Sequence, residues 1–192
     1  MAAVEAIPSL DEMKRMQERL LKHKGHLYSS IWTFGINTAM RIGDQLKLRW
    51  DDVLPCLEDG SNLLELVEEK TGKKRHIKLN ASAVSVLLER RALCPNDVWV
   101  WQGKSNRAKA NAGPISRKAV YRAFKDIGGS MGYNNIGTHT LRKSRATYMR
   151  SQGESIEQIC KTLNQSSPAV TMAYLNLTEQ STLDTYDKYS LL

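Results

Sequence analysis

The spacing of apolar residues constrains the fold of this chain more than any other feature. Over most of the chain these residues recur with the period of an α-helix, and in the middle they recur with the period of a β-strand. Ser9 followed by Glu12 has the pattern of a capping box. Apolar residues then recur along one helical face, at Leu10, Met13, Met16 and Leu20. In the middle, the segment LLELVEEKTGKKRHIKLN (residues 63–80) has two short runs of strand character around a Thr-Gly turn. We therefore predict a mainly helical α+β fold, with a small antiparallel β-hairpin against a helical bundle.

Further helices are predicted on both sides of this hairpin. We expect a second helix from near Leu27 towards Met40, followed by a short amphipathic piece that ends at Trp50. Helical spacing returns at residues 84–88 and again at residues 115–127. The hairpin is thus the one place where a sheet is expected, and its tip is rich in lysine.

The last third of the chain is predicted to be helical as well. Ser155 with Gln158 repeats the capping-box pattern. Ser167 followed by Pro168 is typical of a helix N-cap and its first helical position. We find no internal repeat and no linker that would separate two domains, so the helices and the hairpin are expected to form one unit.

Length and charge narrow the class of protein. The 192 residues are 41% hydrophobic, which is enough for one buried core, and the net charge of +8 favours a polyanionic partner such as nucleic acid or an anionic membrane surface. No apolar run reaches the ~20 residues of a membrane span, and the N-terminus lacks a secretory signal. Three isolated cysteines suggest neither a disulfide framework nor a zinc site. We expect a cytoplasmic protein, nucleoid-associated if bacterial, without metal or cofactor.

Positive charge is segregated along the chain. Residues 98–125 contain no Asp or Glu, and the hairpin tip and the segment after residue 139 add further cations. Such clusters suit binding to a phosphate backbone, although a run of charge is also what an ordinary solvated surface shows. The candidate DNA-binding residues are Lys73, Lys74, Arg75, Lys104, Arg107, Lys109, Arg117, Lys118, Arg122 and Lys143.

Four segments, in order, resemble the motifs of the tyrosine recombinase (phage integrase) family. TAMRIGDQLKLRWDDV is similar to the family's first arginine motif, and EEKTGKKRHIKLN is similar to its β-hairpin with a lysine before a Thr-Gly turn. HTLRKSRATYM resembles its H-x-x-R box, and LNQSSPAVTMAYLNLT resembles its final box, where the nucleophilic tyrosine stands nine residues after a histidine. The resemblance runs from about residue 8 to residue 180 and implies the family's catalytic domain.

The resemblance also implies a set of catalytic residues and their chemistry. Two arginines would stabilise the negative charge that gathers on a scissile phosphate, since guanidinium groups are always charged and bind phosphate in a bidentate manner. A tyrosine would attack that phosphate and form a 3′-phosphotyrosine, a lysine would protonate the 5′ leaving oxygen, and a histidine would bind the phosphate or accept the tyrosine proton. The implied residues are Arg41, Lys70, His139, Arg142, Gln165 and Tyr174.

The same resemblance implies the partners and the domain organisation. The substrate would be double-stranded DNA, cleaved and rejoined in site-specific recombination or integration by a tetramer on two DNA sites. Residues 1–180 would form the catalytic domain, and residues 181–192 a tail exchanged between protomers. The helical core-binding domain that usually precedes the catalytic domain is expected to be absent.

Each assignment has a structural alternative. Tyr174 lies on a helical apolar stripe and could be a core tyrosine, Arg41 could cap the preceding helix, and Lys70 could be an ordinary hairpin residue. Asp44 is expected to support Arg41 or cap a helix rather than act as a catalytic acid. Tyr186 and Tyr189 are rival nucleophiles by residue type, but they miss the nine-residue register.

Gln165 departs from the family pattern, which usually has histidine there. A glutamine still donates a hydrogen bond to a phosphate oxygen, but it carries no charge and cannot transfer a proton. This substitution leaves open a second function, that of a non-catalytic DNA-binding or regulatory domain with the same fold. A type IB topoisomerase, which shares the chemistry, is a third.

Overall fold

A computed structural model describes residues 4–103 and 113–175, in which helices flank one β-hairpin. Helix α1 spans Leu10–Lys24, α2 spans His26–Thr38, α3 spans Ile42–Leu46 and α4 spans Trp50–Glu58. Strands β1 (Leu63–Val67) and β2 (Lys74–Lys78) follow. The later helices are α5 (Ala81–Leu93), α6 (Arg117–Ser130), α7 (Thr140–Ser151), α8 (Ile156–Leu163) and α9 (Pro168–Tyr174). The mainly helical α+β prediction is confirmed.

Three helices begin at the caps that the sequence predicts. The hydroxyl of Ser9 accepts a hydrogen bond from the backbone of Glu12, and the hydroxyl of Ser155 accepts one from the backbone of Gln158. Helix α9 has Ser167 as its N-cap and proline at its first turn. These caps satisfy backbone donors that have no partner inside the helix, so the local sequence alone is enough to locate these starts.

The predicted hairpin is confirmed as a two-stranded antiparallel sheet. Its register pairs Leu64 with Ile77 and Leu66 with Arg75. Residues that face inward on each strand alternate with exposed ones, as the period of two requires. Helix α4 contacts β1, so the hairpin lies against the helical part of the molecule.

Helix α2 is at the centre of the packing, with contacts to α1, α5 and α7. Its side chains Ile31, Trp32 and Phe34 are completely buried. Gly35 allows α7 to approach closely, because a Cβ atom at this position would stand 2.6 Å from a methyl carbon of Leu141. The close approach fixes the first turn of α7 beside the C-terminal end of α2.

Two boundaries differ from the sequence prediction. Trp50 begins a helix instead of ending one, because the Asp52 carboxylate accepts a hydrogen bond from the backbone N–H of Arg49 and completes a capping box. Helix α2 ends at Thr38, short of Met40, because Ala39 takes the left-handed conformation with φ of 49°. An arginine and a tryptophan do not resemble a helix start, so the sequence does not reveal the first of these boundaries.

Some predicted functional residues lie outside the described residues: Lys104, Arg107, Lys109, Tyr186, Tyr189 and the tail 181–192. Among the described helices, none has the length and apolar character to cross a lipid bilayer.

Candidate active site

The site is built around the backbone where α2 ends. Ala39 is buried and left-handed, a conformation that is uncommon for residues other than glycine. Its carbonyl oxygen consequently leaves the helix and points to two arginines from distant parts of the chain. Arg142 donates to this oxygen at 2.5 Å, and Arg75 donates to it at 3.4 Å.

Arg142 is held by two backbone carbonyls. Beside its bond to Ala39, its second terminal nitrogen donates to the carbonyl oxygen of Leu163, at the end of α8, at 2.6 Å. The side chain lies on the first turn of α7 and is 5% exposed. Burial lowers the pKa of Arg142 to about 10, so the guanidinium still carries its charge at neutral pH. A fixed cation of this kind is suited to binding a phosphate without reorganisation.

Arg41 forms an ion pair with Glu68, the residue that follows β1. Arg75 binds the other oxygen of the same carboxylate at 3.1 Å, and it also donates to the carbonyls of Thr38 and Thr162. Glu68 is completely buried, whereas the side chain of Arg41 keeps 22% of its surface exposed. Arg41 therefore has a buried anion behind it and an open side in front.

Two further groups hold the Glu68 carboxylate. The hydroxyl of Thr71 donates to it at 3.1 Å, and the side-chain amide of Asn164 donates to it at 2.7 Å. Burial raises the pKa of Glu68, but the charges of Arg41 and Arg75 and these hydrogen bonds outweigh burial, so the pKa lies below its usual value. Glu68 is accordingly an anion at neutral pH.

Tyr174 ends α9 with its hydroxyl beside the start of α7. The hydroxyl donates to the backbone carbonyl of His139 at 3.2 Å. Burial raises the pKa of Tyr174 above its usual value, while the charges of Arg142 and Arg41 oppose this effect. The ring packs at the edge of a small apolar cluster and is only partly buried. Tyr174 is therefore not the buried core tyrosine of the structural alternative.

His139 is the N-cap of α7 and lies among cations. Burial lowers the pKa of His139, and the charges of Arg117, Arg142, Lys70 and Arg41 lower it further. The imidazole is therefore neutral at pH 7 and able to accept a proton. Lys70 stands in the exposed turn of the hairpin, close enough for its charge to contribute to this shift.

Gln165 follows α8, adjacent to Asn164 and two residues after the carbonyl that binds Arg142. Its side-chain oxygen accepts a hydrogen bond of 2.6 Å from the buried hydroxyl of Thr171. This bond leaves the amide nitrogen of Gln165 as the group that can donate to a ligand.

Asp44 was expected to support Arg41 or to cap a helix; instead, its carboxylate accepts a hydrogen bond from the backbone of Glu69 at 3.0 Å. It thus holds the hairpin turn against α3. Arg41 takes its carboxylate partner from Glu68 instead.

Two residues that were predicted to contact DNA, Arg75 and Lys143, are buried, and their assignment as DNA contacts is corrected. Arg75 is not an exposed tip residue: it continues the inward face of β2 with Ile77, is 8% exposed, and is fully occupied by Glu68 and backbone carbonyls. Lys143 is also 8% exposed, because α7 packs between α2 and α8 and little of its first turn is left uncovered. Exposed cations among the predicted set are Lys73, Lys74, Arg117, Lys118 and Arg122.

Glu68 is the site residue that sequence analysis missed, and a signal for it was present. The alternation along β1 that turns Leu64 and Leu66 inward turns Glu68 inward as well. A carboxylate on the apolar face of a strand requires a buried cation nearby. The same alternation in β2 would have identified Arg75 as that cation.

Comparison with known proteins identifies the same family that the four sequence motifs resemble. A model of the phage integrase family matches residues 10–181. The probable integrase/recombinase YoeC of Bacillus subtilis is 31% identical over 186 residues, which are 97% of this chain and 97% of YoeC.

Solved structures share the fold at low identity. The XerA recombinase superposes with a TM-score of 0.71 at 21% identity, over 98% of this chain and 65% of that one. The XerH site-specific recombinase, bound to a palindromic difH substrate in a post-cleavage complex, has a TM-score of 0.69 at 17% identity. The match to XerH covers 93% of this chain and 51% of XerH, so the present chain spans about half to two thirds of these two structures.

Proposed function

The chain belongs to the phage integrase family, and from this premise we propose that it cleaves and rejoins DNA strands in site-specific recombination through a tyrosine–phosphate intermediate. The observation that carries the proposal is the convergence of two buried or half-buried arginines, Arg41 and Arg142, with the hydroxyl of Tyr174. These groups come from three separate parts of the chain, and a purely structural role would not require them to meet.

The arginines bind the scissile phosphate. Each guanidinium offers several N–H donors in a fixed plane, and Arg142 is held by carbonyls before any substrate arrives. In the transition state, negative charge grows on the non-bridging phosphate oxygens, and preorganised donors stabilise this charge most strongly. Gln165 adds a neutral donor through its amide nitrogen.

The reaction exchanges one phosphate ester for another. The Tyr174 oxygen forms a bond to phosphorus, and the bond from phosphorus to the 5′ oxygen breaks, which leaves a 3′-phosphotyrosine. The tyrosine proton goes to the neutral imidazole of His139, and the 5′ oxygen takes a proton from Lys70. Attack by a free 5′ hydroxyl then reverses these steps and rejoins the strand. The ester energy is conserved throughout, so no co-substrate is consumed.

We also retain the proposals for domain organisation and assembly. Residues 1–180 act as the catalytic domain, and residues 181–192 are exchanged between protomers on paired DNA sites, as a tetramer. Sedimentation of the protein with and without a recombination site, compared with a variant ending at residue 180, tests both the exchange of the tail and the tetramer. Exchange of the tail predicts that the shorter variant binds DNA without forming the tetramer.

The test of the reaction is a search for covalent protein–DNA adducts with a library of nicked suicide duplexes. We expect an adduct that resists denaturation and maps by mass spectrometry to Tyr174, with a free 5′ hydroxyl on the released strand. Tyr174→Phe should abolish it, while Tyr148→Phe, a partly buried tyrosine on α7, should not. An adduct that persists in Tyr174→Phe would refute the assignment.

Salt-sensitive binding without any adduct would favour the alternative of a non-catalytic DNA-binding domain. Gln165→His then distinguishes lost chemistry from a missing partner, because histidine restores a group that can carry charge and transfer protons. Relaxation of supercoiled plasmid without a specific site would instead indicate a topoisomerase.

A further inference from the structure

We propose that Glu68 is a positioning residue of the active site, which holds Arg41 in the orientation needed to bind the scissile phosphate and links the hairpin turn to the end of α8. This inference rests on the proposed function. It concerns a residue outside the set that the family motifs indicated, and it follows from the contacts of one carboxylate.

The contacts of Glu68 come from four separate elements. One oxygen binds Arg75 of β2, and the other binds Arg41, the hydroxyl of Thr71 and the amide of Asn164. The backbone of Glu68 also closes the base of the hairpin turn, since its N–H donates to Lys73 and its carbonyl accepts from Gly72. A movement of this carboxylate would therefore displace Arg41 and the turn together.

The charges require an anion at this position. Burial lowers the pKa of Arg75, the charge of Glu68 opposes this effect, and the nearby charge of Arg41 lowers the pKa further. Glu68 binds both arginines and stands between them. Without the carboxylate, the two guanidiniums would repel each other in a partly desolvated environment. Arg75 is fixed by three carbonyl oxygens, so Arg41, which has an exposed side, would be the one to move.

Glu68 acts through Arg41 and does not contact the substrate. Both of its oxygens are occupied, its side chain has no exposed surface, and a carboxylate repels a phosphate. Its replacement should consequently affect the chemical step more than the binding of DNA. Loss of one buried negative charge would even favour the approach of the DNA backbone.

The experiment compares Glu68→Gln with Glu69→Gln under single-turnover conditions on a nicked suicide duplex cleaved by the unaltered protein. Glu69 is the matched control, because it is the next residue, is 62% exposed and pairs with Lys47 at 2.6 Å. Adduct formation gives the rate, fluorescence anisotropy on the same duplex gives the Kd, and thermal unfolding shows whether each variant folds.

We expect Glu68→Gln to lower the rate by about 10²-fold, as a small displacement of a catalytic group does, with the Kd changed by less than about threefold. Glu69→Gln should match the unaltered protein. A rate for Glu68→Gln equal to that of Glu69→Gln would overturn the inference, as would parallel losses of rate and DNA affinity.

A double-mutant cycle separates positioning from a general structural role. If Glu68 acts through Arg41, Glu68→Gln should have little further effect on the rate in an Arg41→Lys background. An equal loss in both backgrounds would overturn the inference. If Glu68→Gln does not fold, Thr71→Val removes one donor to the carboxylate without a change of shape; it should lower the rate several-fold, and an unchanged rate would be decisive against the inference.

Failure of the inference is distinguishable from failure of the proposed function. If the unaltered protein forms no tyrosine adduct with any duplex, the proposed function falls and this inference falls with it. If the unaltered protein forms the adduct and the variants show no coupling, only the role of Glu68 is refuted.

Discussion

The interior and the rim of the candidate site differ in how their cations are held. The interior consists of Arg41, Arg75 and Arg142, whose guanidiniums bind Glu68 or backbone carbonyls. The rim consists of cations on exposed turns and helix starts, namely Lys70, Lys73, Lys74, Arg117 and Lys118. Rigid donors of the first kind are already oriented for a transition state, whereas side chains of the second kind lose conformational freedom when DNA arrives.

In the proposed function, this difference means that the same atoms of the interior both orient donors for the reaction and stabilise the fold. The bonds that orient Arg142 also join α2, α7 and α8, so chemistry and stability are coupled there. At the rim, stability and function are separate, because exposed cations contribute little to folding. Mutations in the interior should therefore lower both stability and the reaction rate, whereas mutations at the rim should change function without changing stability.

Replacement of Arg142 should have the largest effect. We expect Arg142→Ala to lower the rate of adduct formation by at least about 10³-fold, since several preorganised donors are lost. It should also lower the free energy of unfolding by about 2–5 kcal/mol, because the Leu163 carbonyl loses this donor, the Ala39 carbonyl keeps only the longer bonds from Arg75, and a cavity forms. Arg142→Met, which fills the volume, should recover part of the stability and none of the rate. Denaturant unfolding and the adduct assay check the two effects, and a stable, inactive Arg142→Ala would contradict the coupling.

Replacement of Lys70 should impair the chemistry alone. We expect Lys70→Ala to slow cleavage by about 10²–10³-fold, the range for a lost general acid, with an unchanged thermal midpoint. A substrate with sulfur in place of the 5′ bridging oxygen should restore the rate, because a thiolate leaves without protonation. Failure of the sulfur substrate to restore cleavage would exclude Lys70 as the proton donor.

The pH dependence of cleavage should report on His139. Its pKa lies below 6.5, so the neutral imidazole predominates at and above that pH and is lost as the pH falls through the lowered value. We expect the rate to decline on the acid side of pH 6.5, and His139→Gln to remove this decline while it lowers the rate at pH 7 by about 10²-fold. The readout is the single-turnover rate between about pH 5 and 8; a decline centred well above pH 6.5 would contradict the assignment.

The smallest effect is expected at the hairpin tip. Lys73→Ala combined with Lys74→Ala should weaken DNA binding several-fold at ~0.1 M salt and reduce the slope of log K against log salt by about 2. The thermal midpoint should not change. Lys22→Ala, an exposed lysine on α1, serves as the control. An unchanged salt slope in the double variant would show that the tip does not contact phosphates.

Local features of the fold could be predicted from the sequence, whereas the contacts that join the residues in the interior of the site could not. The caps at Ser9, Ser155 and Ser167 depend on neighbouring residues, so the pattern of a few letters is sufficient. The partner of Arg41 is 27 residues away on another element, and no local rule connects the two.

Arg75 and Lys143, which were predicted to be exposed DNA contacts, also show that local sequence does not reveal tertiary packing. Arg75 belongs to a run of basic residues, and a charge count places the whole run at the surface. The alternation of the strand sends that one side chain inward, where Glu68 compensates the burial of its charge. Lys143 is covered because α7 has neighbours on two sides, and only the tertiary packing reveals them.

The carbonyl of Ala39 has a consequence for the protein during its synthesis. Its donor Arg142 lies 103 residues further along the chain, and Tyr174 follows later still. At about 5–20 residues per second, a ribosome releases Arg41 and the hairpin several seconds before the groups that complete the site. A nascent chain held at that stage has cations that could meet DNA but lacks the proposed nucleophile. With Tyr174 as the proposed nucleophile, strand breakage becomes possible only once that residue has been synthesised.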